Sequence, residues 1–204
     1  MGLFSNVTER KALEAKMKEA GRLPQGQSAT LKWPVLHTGS LPRFDPALWD
    51  FQTWGLVENR LKLSWNEFGA LPRLEIVSDF HCVTRWSRFD NHWAGVSAKV
   101  ILERTRPMAR ARYVLVHGDA NYTTNLRLAD LESGDVLFAT HHDGAPLAPE
   151  HGGPLRLVVP KLYGWKSAKW ARGLEFLEAD RRGYWEERGY HDRGDVGKEQ
   201  RMWE

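Results

Sequence analysis

Residues 79–93, DFHCVTRWSRFDNHW, hold the only cysteine of the chain, Cys82, among apolar, aromatic and histidine neighbours, and read as the end of a buried strand. A lone cysteine forms no internal disulfide. It is either a small core hydrophobe or a thiolate with chemistry to perform, and a single free cysteine is more often the former. The rest of the chain reverses that balance, beginning with residues 150–170, EHGGPLRLVVPKLYGWKSAKW.

In that second stretch His151 precedes Arg156 by five residues, and the run Lys166-Ser167-Ala168-Lys169 follows the strand-like PLRLVVP through a glycine. A strand with His and Arg at one end and a hydroxyl- and lysine-bearing loop at the other offers N–H donors and cations to one anionic group. The pattern predicts a phosphate cradle. Neither the glycine and lysine spacing of a Walker loop nor a GxGxxG run after a strand is present.

Length and composition bound the remainder. With 204 residues, 42% of them hydrophobic, the chain suffices for one sizeable core and hardly for two. Residues 1–30 read as an N-terminal helix and connector, and 31–204 as the main domain. No run approaches the roughly 18 apolar residues of a bilayer span, and MGLFSNVTERKALEAK has charges where a secretory core would be apolar. A cytoplasmic protein is expected, and one thiol fits a reducing compartment. Lys+Arg total 29 against 26 Asp+Glu, a net +3 spread along the chain, so no nucleic-acid footprint is evident. Ten tryptophans are the compositional oddity. Most are expected in the core, with one or two near a flat ligand.

Periodicity predicts an opening helix capped by Asn6, with Glu9 three residues on, ended by Gly21 and Pro24. Strand-like runs follow at TLKWPVLHTG (30–39), PALWDFQTWGLV (46–57), LEIVSDFHCV (74–83), ARARYVLVHGD (109–119) and SGDVLFATHHDGAPL (133–147), the last turning at Asp143-Gly144. PLRLVVP (154–160) is the cleanest strand, and a further β run lies within 164–180. The tail from Arg181 reads as packing over the core. Short strands with a few helices predict an α+β domain built on mixed sheet.

Four segments together resemble the molybdopterin-binding domain of the sulfite oxidase family, particularly its small bacterial members related to the methionine sulfoxide reductase catalytic subunit. They are HTGSLP (37–42), the FHC segment with WSRFDNHWAGV, DANYTTNL (119–126), and HGGPLR with KSAKW. The five-residue step from His151 to Arg156 and the eleven-residue step from Arg156 to Ser167 match the family pattern. The resemblance implies a mixed-sheet fold of the sulfite oxidase type, a molybdenum–molybdopterin cofactor, and Cys82 as the one protein ligand to the metal. A thiolate is a soft, electron-rich donor suited to a metal already bound by sulfur. It further implies that His151, Arg156, Ser167, Ala168 and Lys169 surround the pterin and its phosphate. His37 and Thr38 would contact the pterin, Asp119 would match more weakly, and Lys161 and Lys166 would assist.

Two departures bear on substrate. Sulfite oxidases carry an arginine where this chain has Leu36, and a tyrosine beside the metal where it has Thr140. Losing a cation and a phenol argues against sulfite, because a dianion entering a low-dielectric pocket needs paired charge. The implied activity is two-electron oxygen-atom transfer on a small substrate such as an S-oxide or N-oxide, with His141, His142 and Arg85 presented to it and a separate electron-transfer partner. Two readings compete. One is a cofactor-free, tryptophan-rich module for glycans or nucleic acid. The other is a cysteine hydrolase pairing Cys82 with His81 or His151, against which neighbouring strand residues point to opposite faces.

Overall fold

A computed structural model describes residues 2–203. In chain order the first half comprises α1 (Gly2–Glu19), β1 (Ser28–Ala29), β2 (Asp50–Gly55), β3 (Lys62–Ser64), α2 (Trp65–Gly69), β4 (Arg73–His81) and β5 (Trp86–Ser97). The second half comprises α3 (Ala98–Thr105), β6 (Tyr113–Gly118), β7 (Thr123–Arg127), α4 (Leu128–Leu131), β8 (Leu137–His142), β9 (Ala145–Pro146), β10 (Arg156–Val158) and β11 (Ala171–Leu177). Short 3-10 turns at Pro149–His151, Gly164–Lys166 and Glu186–Arg188 complete the set.

The strands form two mixed sheets. One runs β1-β5-β8-β10, with β4 paired to β5 and β9 to β8, and the other runs β3-β2-β11-β6-β7. The β1–β5 and β2–β11 pairs are parallel and the others antiparallel. Phe51, Leu174 and Phe176 of the second sheet and Val96, Phe138 and Leu157 of the first are buried in one continuous core with Phe68 of α2. Removing each such side chain from water contributes about 1.5–3 kcal/mol, and Phe51 meets Phe138 edge to face at 5.0 Å.

Helix α1 begins at Gly2, so Asn6 lies inside it and is not its cap. Its end is as the glycine predicts: Gly21 is left-handed (φ +67°), its N–H bonds to Lys18 O, and Arg22 N–H reaches Met17 O. This double closure satisfies carbonyls left free at the last turn. The connector joins the body: Met17 and Ala29 bury against Phe89, Glu14 accepts from Ala29 N–H, and Arg22 grips Asp79 and Asp90.

The strand expectations meet the structure unevenly, and β5 is a strand that the reading of the sequence did not single out. Residues 30–39 form no strand, and residues 31–44 are irregular throughout. The residues there are mostly exposed, and Pro34 and Pro42 deprive any ladder of donors. Conversely β5, at 12 residues the longest strand, carries no apolar alternation, because its buried positions include Ser87 and Asn91 beside Phe89 and Trp93. PLRLVVP yields only the three-residue β10, but that strand is buried at every position.

Candidate active site: a thiol at a hairpin tip

Strands β4 and β5 meet in a hairpin whose tip is residues 82–86. Cys82 N–H bonds to Trp86 O at 2.9 Å and Arg85 N–H returns to Cys82 O at 3.1 Å. The three-residue loop so formed needs a left-handed residue at its end, and Arg85 supplies it at φ +71°. Cys82 therefore sits at the first bend of a turn, not within a strand. It is half-buried, and its Sγ lies 3.1 Å from Thr84 Oγ1.

The tip opens onto a cavity of about 330 Å³, within the range of small-molecule sites. Its walls come from the irregular 31–44 segment (Trp33, Leu36, His37, Thr38), the hairpin (Phe80, Cys82, Thr84, Trp86), the β6–β7 turn (Tyr122), the start of β10 (Arg156), the 164–170 loop (Trp165, Ser167, Lys169, Trp170) and the C-terminal segment (Trp185, Tyr190). Five of the ten tryptophans thus line it, where one or two were expected. Their signal in the sequence was density alone, since their spacing is irregular.

Two cations face the thiol. Arg156 is buried, with Nη1 donating to His151 O at 2.8 Å and its guanidinium 4.8 Å over the Phe80 ring. Burial pulls it down to about 10, while Tyr122 and the Cys82 charge oppose the fall, so it stays charged at neutral pH. Lys169 Nζ donates to Leu36 O (2.8 Å) and Glu150 O (2.5 Å). Burial and the nearby Arg156 lower it to about 7, with Glu150 and Cys82 pulling the other way. Ser167 Oγ accepts from Val159 N–H at 3.0 Å, which locks the loop onto β10.

The Lys169 shift sets a pH dependence. In the unfolded chain the lysine keeps its ordinary value of 10.5, so between about 7 and 10.5 the unfolded state carries the extra proton. Folding stability of the unloaded protein should accordingly rise as pH increases through that window and be flat below it. Replacing Lys169 by methionine should flatten the rise, as read by chemical denaturation at pH 6.5, 8 and 9.5.

Of the residues expected at the site, Cys82, His37, Thr38, Arg156, Ser167 and Lys169 share this cavity. The others stand elsewhere, each for a physical reason. Lys166 is completely buried and turned away, its ammonium held by Glu186 (2.6 Å), Asn125 Oδ1 (2.6 Å) and O (2.9 Å), and Asp192 O (2.5 Å). Lys161 pairs with Asp130 at 2.9 Å. Ala168 faces the core, its carbonyl accepting from Leu157 N–H. Asp119 lines a separate hollow and approaches Arg172 at 3.7 Å. His151 stands behind the wall, stacked on Trp33 at 3.9 Å and 6°. Burial, with the charges of Lys169 and Arg156, lowers it to about 4, so it is neutral.

The three residues expected to meet substrate also lie off the cavity. His142 packs 4.1 Å from Trp33, and its Nε2 lies 2.9 Å from Arg88 Nη1 and 3.1 Å from Asn91 Oδ1. His141 bonds Thr140 Oγ1 at 2.9 Å, and Thr140 is likewise no part of the wall. Arg85 is exposed and lies 3.8 Å from Glu199. Since a side chain other than glycine costs roughly 1 kcal/mol in the left-handed region and an exposed ion pair returns little, Arg85→Gly should stabilise the protein by about 0.5–1 kcal/mol. Thermal denaturation checks this, with turnover expected unchanged. The hydrolase reading finds no base: His81 points to the opposite face, 2.8 Å from Ser87 Oγ, and His151 is outside the wall.

A buried cation, a second cation, a thiol and a flat aromatic surround define a site for an anionic, ring-containing cofactor bearing a soft metal. The residues fit such a group. Arg156 Nε and Trp86 Nε1, both on cavity-lining side chains, are buried without a hydrogen-bond partner, and a heteroatom-rich ligand supplies acceptors for them. The chain belongs to the oxidoreductase molybdopterin binding domain family, whose sequence pattern matches residues 38–185. It is a molybdopterin-dependent oxidoreductase of the sulfite oxidase type, suited to oxygen-atom transfer, and the cofactor-free binding module is set aside.

Among particular relatives, it is 47% identical over 185 residues to the uncharacterized oxidoreductase YuiH of Bacillus subtilis, covering 90% of this chain and 93% of that one. It is 28% identical to the protein-methionine-sulfoxide reductase catalytic subunit MsrP of Campylobacter jejuni and 32% identical to that of Xanthomonas campestris, over 70% and 64% of this chain. The chain spans about half the length of those two proteins, 54% and 45%. The fold matches the sulfane dehydrogenase SoxCD of Paracoccus pantotrophus with a TM-score of 0.62 at 22% identity, over 68% of this chain and 40% of that one. No helix among the described residues is long and apolar enough to cross a membrane.

Proposed function

We propose that this protein reduces a small neutral S-oxide at a molybdenum held by Cys82, taking its electrons from a separate redox protein, in the cytoplasm. The observation that carries the reading is the half-buried Cys82 thiol at the hairpin tip, opening onto a cavity whose cations are Arg156 and Lys169. A soft thiolate is the donor that a sulfur-ligated metal takes. The bound cofactor supplies a centre that exchanges an oxygen atom together with two electrons.

The chain's own residues divide the remaining tasks. Cys82 is fixed by the backbone bonds of its turn, so its Sγ is positioned before anything binds. Arg156 and Lys169 hold the anionic end of the cofactor, Ser167 secures the Lys169 loop to the strand that carries Arg156, and His37 and Thr38 close the wall from the 31–44 segment. The aromatic surround excludes water and admits a neutral, apolar-flanked substrate. With both cations committed to the cofactor and Leu36 in the wall, no further Lys or Arg among the described residues lines the cavity to meet a dianion such as sulfite. The overall reaction, sulfoxide plus two protons and two electrons giving thioether and water, balances with the redox partner as reductant. The two relatives named as methionine sulfoxide reductases support an S-oxide substrate, and the single free thiol supports a reducing compartment.

The test uses protein expressed in a host that makes the cofactor. Molybdenum and pterin content near one per chain are expected, with reduction of methionine sulfoxide by dithionite-reduced viologen exceeding sulfite oxidation by ferricyanide. Dominant sulfite oxidation would overturn the substrate assignment, and cell fractionation placing the native protein outside the cytoplasm would overturn the location.

A further inference from the structure

The 31–44 segment supplies His37 and Thr38 to the cavity wall, yet among the described residues it makes no backbone–backbone hydrogen bond to the rest of the fold. Val35, Leu36, His37, Gly39, Ser40 and Leu41 are exposed. Something else must hold it in place. One tie is Lys169 Nζ to Leu36 O at 2.8 Å. Single ring contacts add to it, His37 with Trp170 at 5.6 Å and Phe44 with Trp65 at 5.1 Å, but the side chain with the most partners is Trp33, which is half-buried and reaches into an aromatic cluster behind the hairpin.

The Trp33 ring lies 3.9 Å from His151, parallel to within 6°, and 4.1 Å from His142. It meets Trp93 edge to face at 5.4 Å and Phe80 at 6.4 Å, and the Arg156 guanidinium stands 5.6 Å from its centre. One side chain thus contacts the segment that forms the wall, the histidine behind it and the buried cation within it. Ring contacts of this kind stabilise beyond the burial they accompany, and together they pin a segment that has no ladder bonds.

We propose that Trp33 is a positioning residue of the cofactor site: it anchors the 31–44 segment as a cavity wall and clamps the His151 ring and the Arg156 guanidinium in one orientation. The inference rests on the cofactor reading of the cavity and deepens it. His151 Nδ1 is buried without a partner, so the orientation that the stack imposes decides what that nitrogen can meet. The charged and titratable groups around His151 are Lys169, Arg156, Glu150 and Arg88, with His142 close by across Trp33.

Trp33→Ala and Trp33→Phe separate anchoring from simple loss of fold, once circular dichroism shows both variants folded. Trypsin reads the segment directly, since Lys32 and Arg43 lie within it. Cleavage at these two sites should accelerate about tenfold or more in Trp33→Ala, as expected for losing several ring contacts, and stay near the native rate in Trp33→Phe. In ¹⁵N-histidine spectra His151 should titrate near 4 in the native protein and move toward 6.5 in the alanine variant. Pterin content should fall in Trp33→Ala and be largely restored in Trp33→Phe. Native cleavage, titration and pterin content in Trp33→Ala would overturn the proposal while leaving the cofactor reading intact. A native chain that takes up no pterin would overturn both. If both variants prove unfolded, Trp33→Leu read by the same trypsin and titration assays decides, an unchanged result again counting against anchoring.

Discussion

Cys82→Ser is expected to abolish turnover, by about 10³-fold or more, equivalent to about 4 kcal/mol at 1.36 kcal/mol per tenfold, while leaving the fold in place. The two side chains are close in size, and Cys82 takes part in the hydrogen bonds of the hairpin tip through its backbone alone, its N–H donating to Trp86 O and its carbonyl accepting from Arg85 N–H and Gln27 Nε2. The Thr84 Oγ1 contact at 3.1 Å suits a hydroxyl as well as a thiol. What changes is the donor: a serine hydroxyl is harder and, at neutral pH, protonated, so it replaces a thiolate poorly at a sulfur-ligated metal. The check is electronic absorption and metal-centred paramagnetic resonance of the loaded variant beside its turnover, with thermal denaturation of the unloaded variant as control. Spectra identical to those of the native protein would reject Cys82 as ligand.

Lys166→Met carries the largest expected effect on stability, about 3–5 kcal/mol lost. Lys166 and Glu186 are both fully buried and 2.6 Å apart. Burial lowers the lysine from its ordinary value while Glu186 holds it up, and its ammonium also satisfies Asn125 and Asp192. Removing it leaves the Glu186 carboxylate buried with only Thr124 Oγ1 and Trp165 Nε1 donating to it. A chain of this length loses about 2–4 °C per kcal/mol, so the melting temperature should drop by roughly 6–20 °C. The double variant Lys166→Met, Glu186→Gln should recover part of that drop, because the uncompensated charge is gone. A melting temperature within about 2 °C of native would show that the pair contributes nothing. The pair ties the cavity-lining Trp165 to the C-terminal segment bearing Trp185, so the lysine shapes the site without touching it.

Lys166 also shows where linear reading falls short. Two residues separate it from Lys169, and in sequence both look like arms of one basic loop. The 3-10 turn at Gly164–Lys166 sends one ammonium into the core and leaves the other at the cavity. Asp119 sits in a loop whose sequence matches the family's, yet that loop delivers Tyr122 to the cavity and turns Asp119 toward Arg172. His142 and His141 adjoin the position of a metal-side tyrosine in related enzymes, but here the end of β8 turns them toward Arg88, Asn91 and Thr140. Trp33 was missed because a tryptophan in an irregular stretch has no periodicity to mark it.

The chain as written already carries the mixed α+β class, the Asp143-Gly144 turn, the end of α1, the family, and the cysteine with its cations Arg156 and Lys169. These follow from patterns a few residues long or from fixed spacings, which local backbone preference and covalent reach preserve through folding. Tertiary structure alone decided which of two neighbouring lysines reaches the cavity, that half the tryptophans wall it, and that an irregular segment without ladder bonds closes it. Those outcomes depend on which side chains a distant element finds opposite it, and burial makes each choice costly to reverse: a cation sealed against a carboxylate, a ring stacked on a histidine more than a hundred residues away.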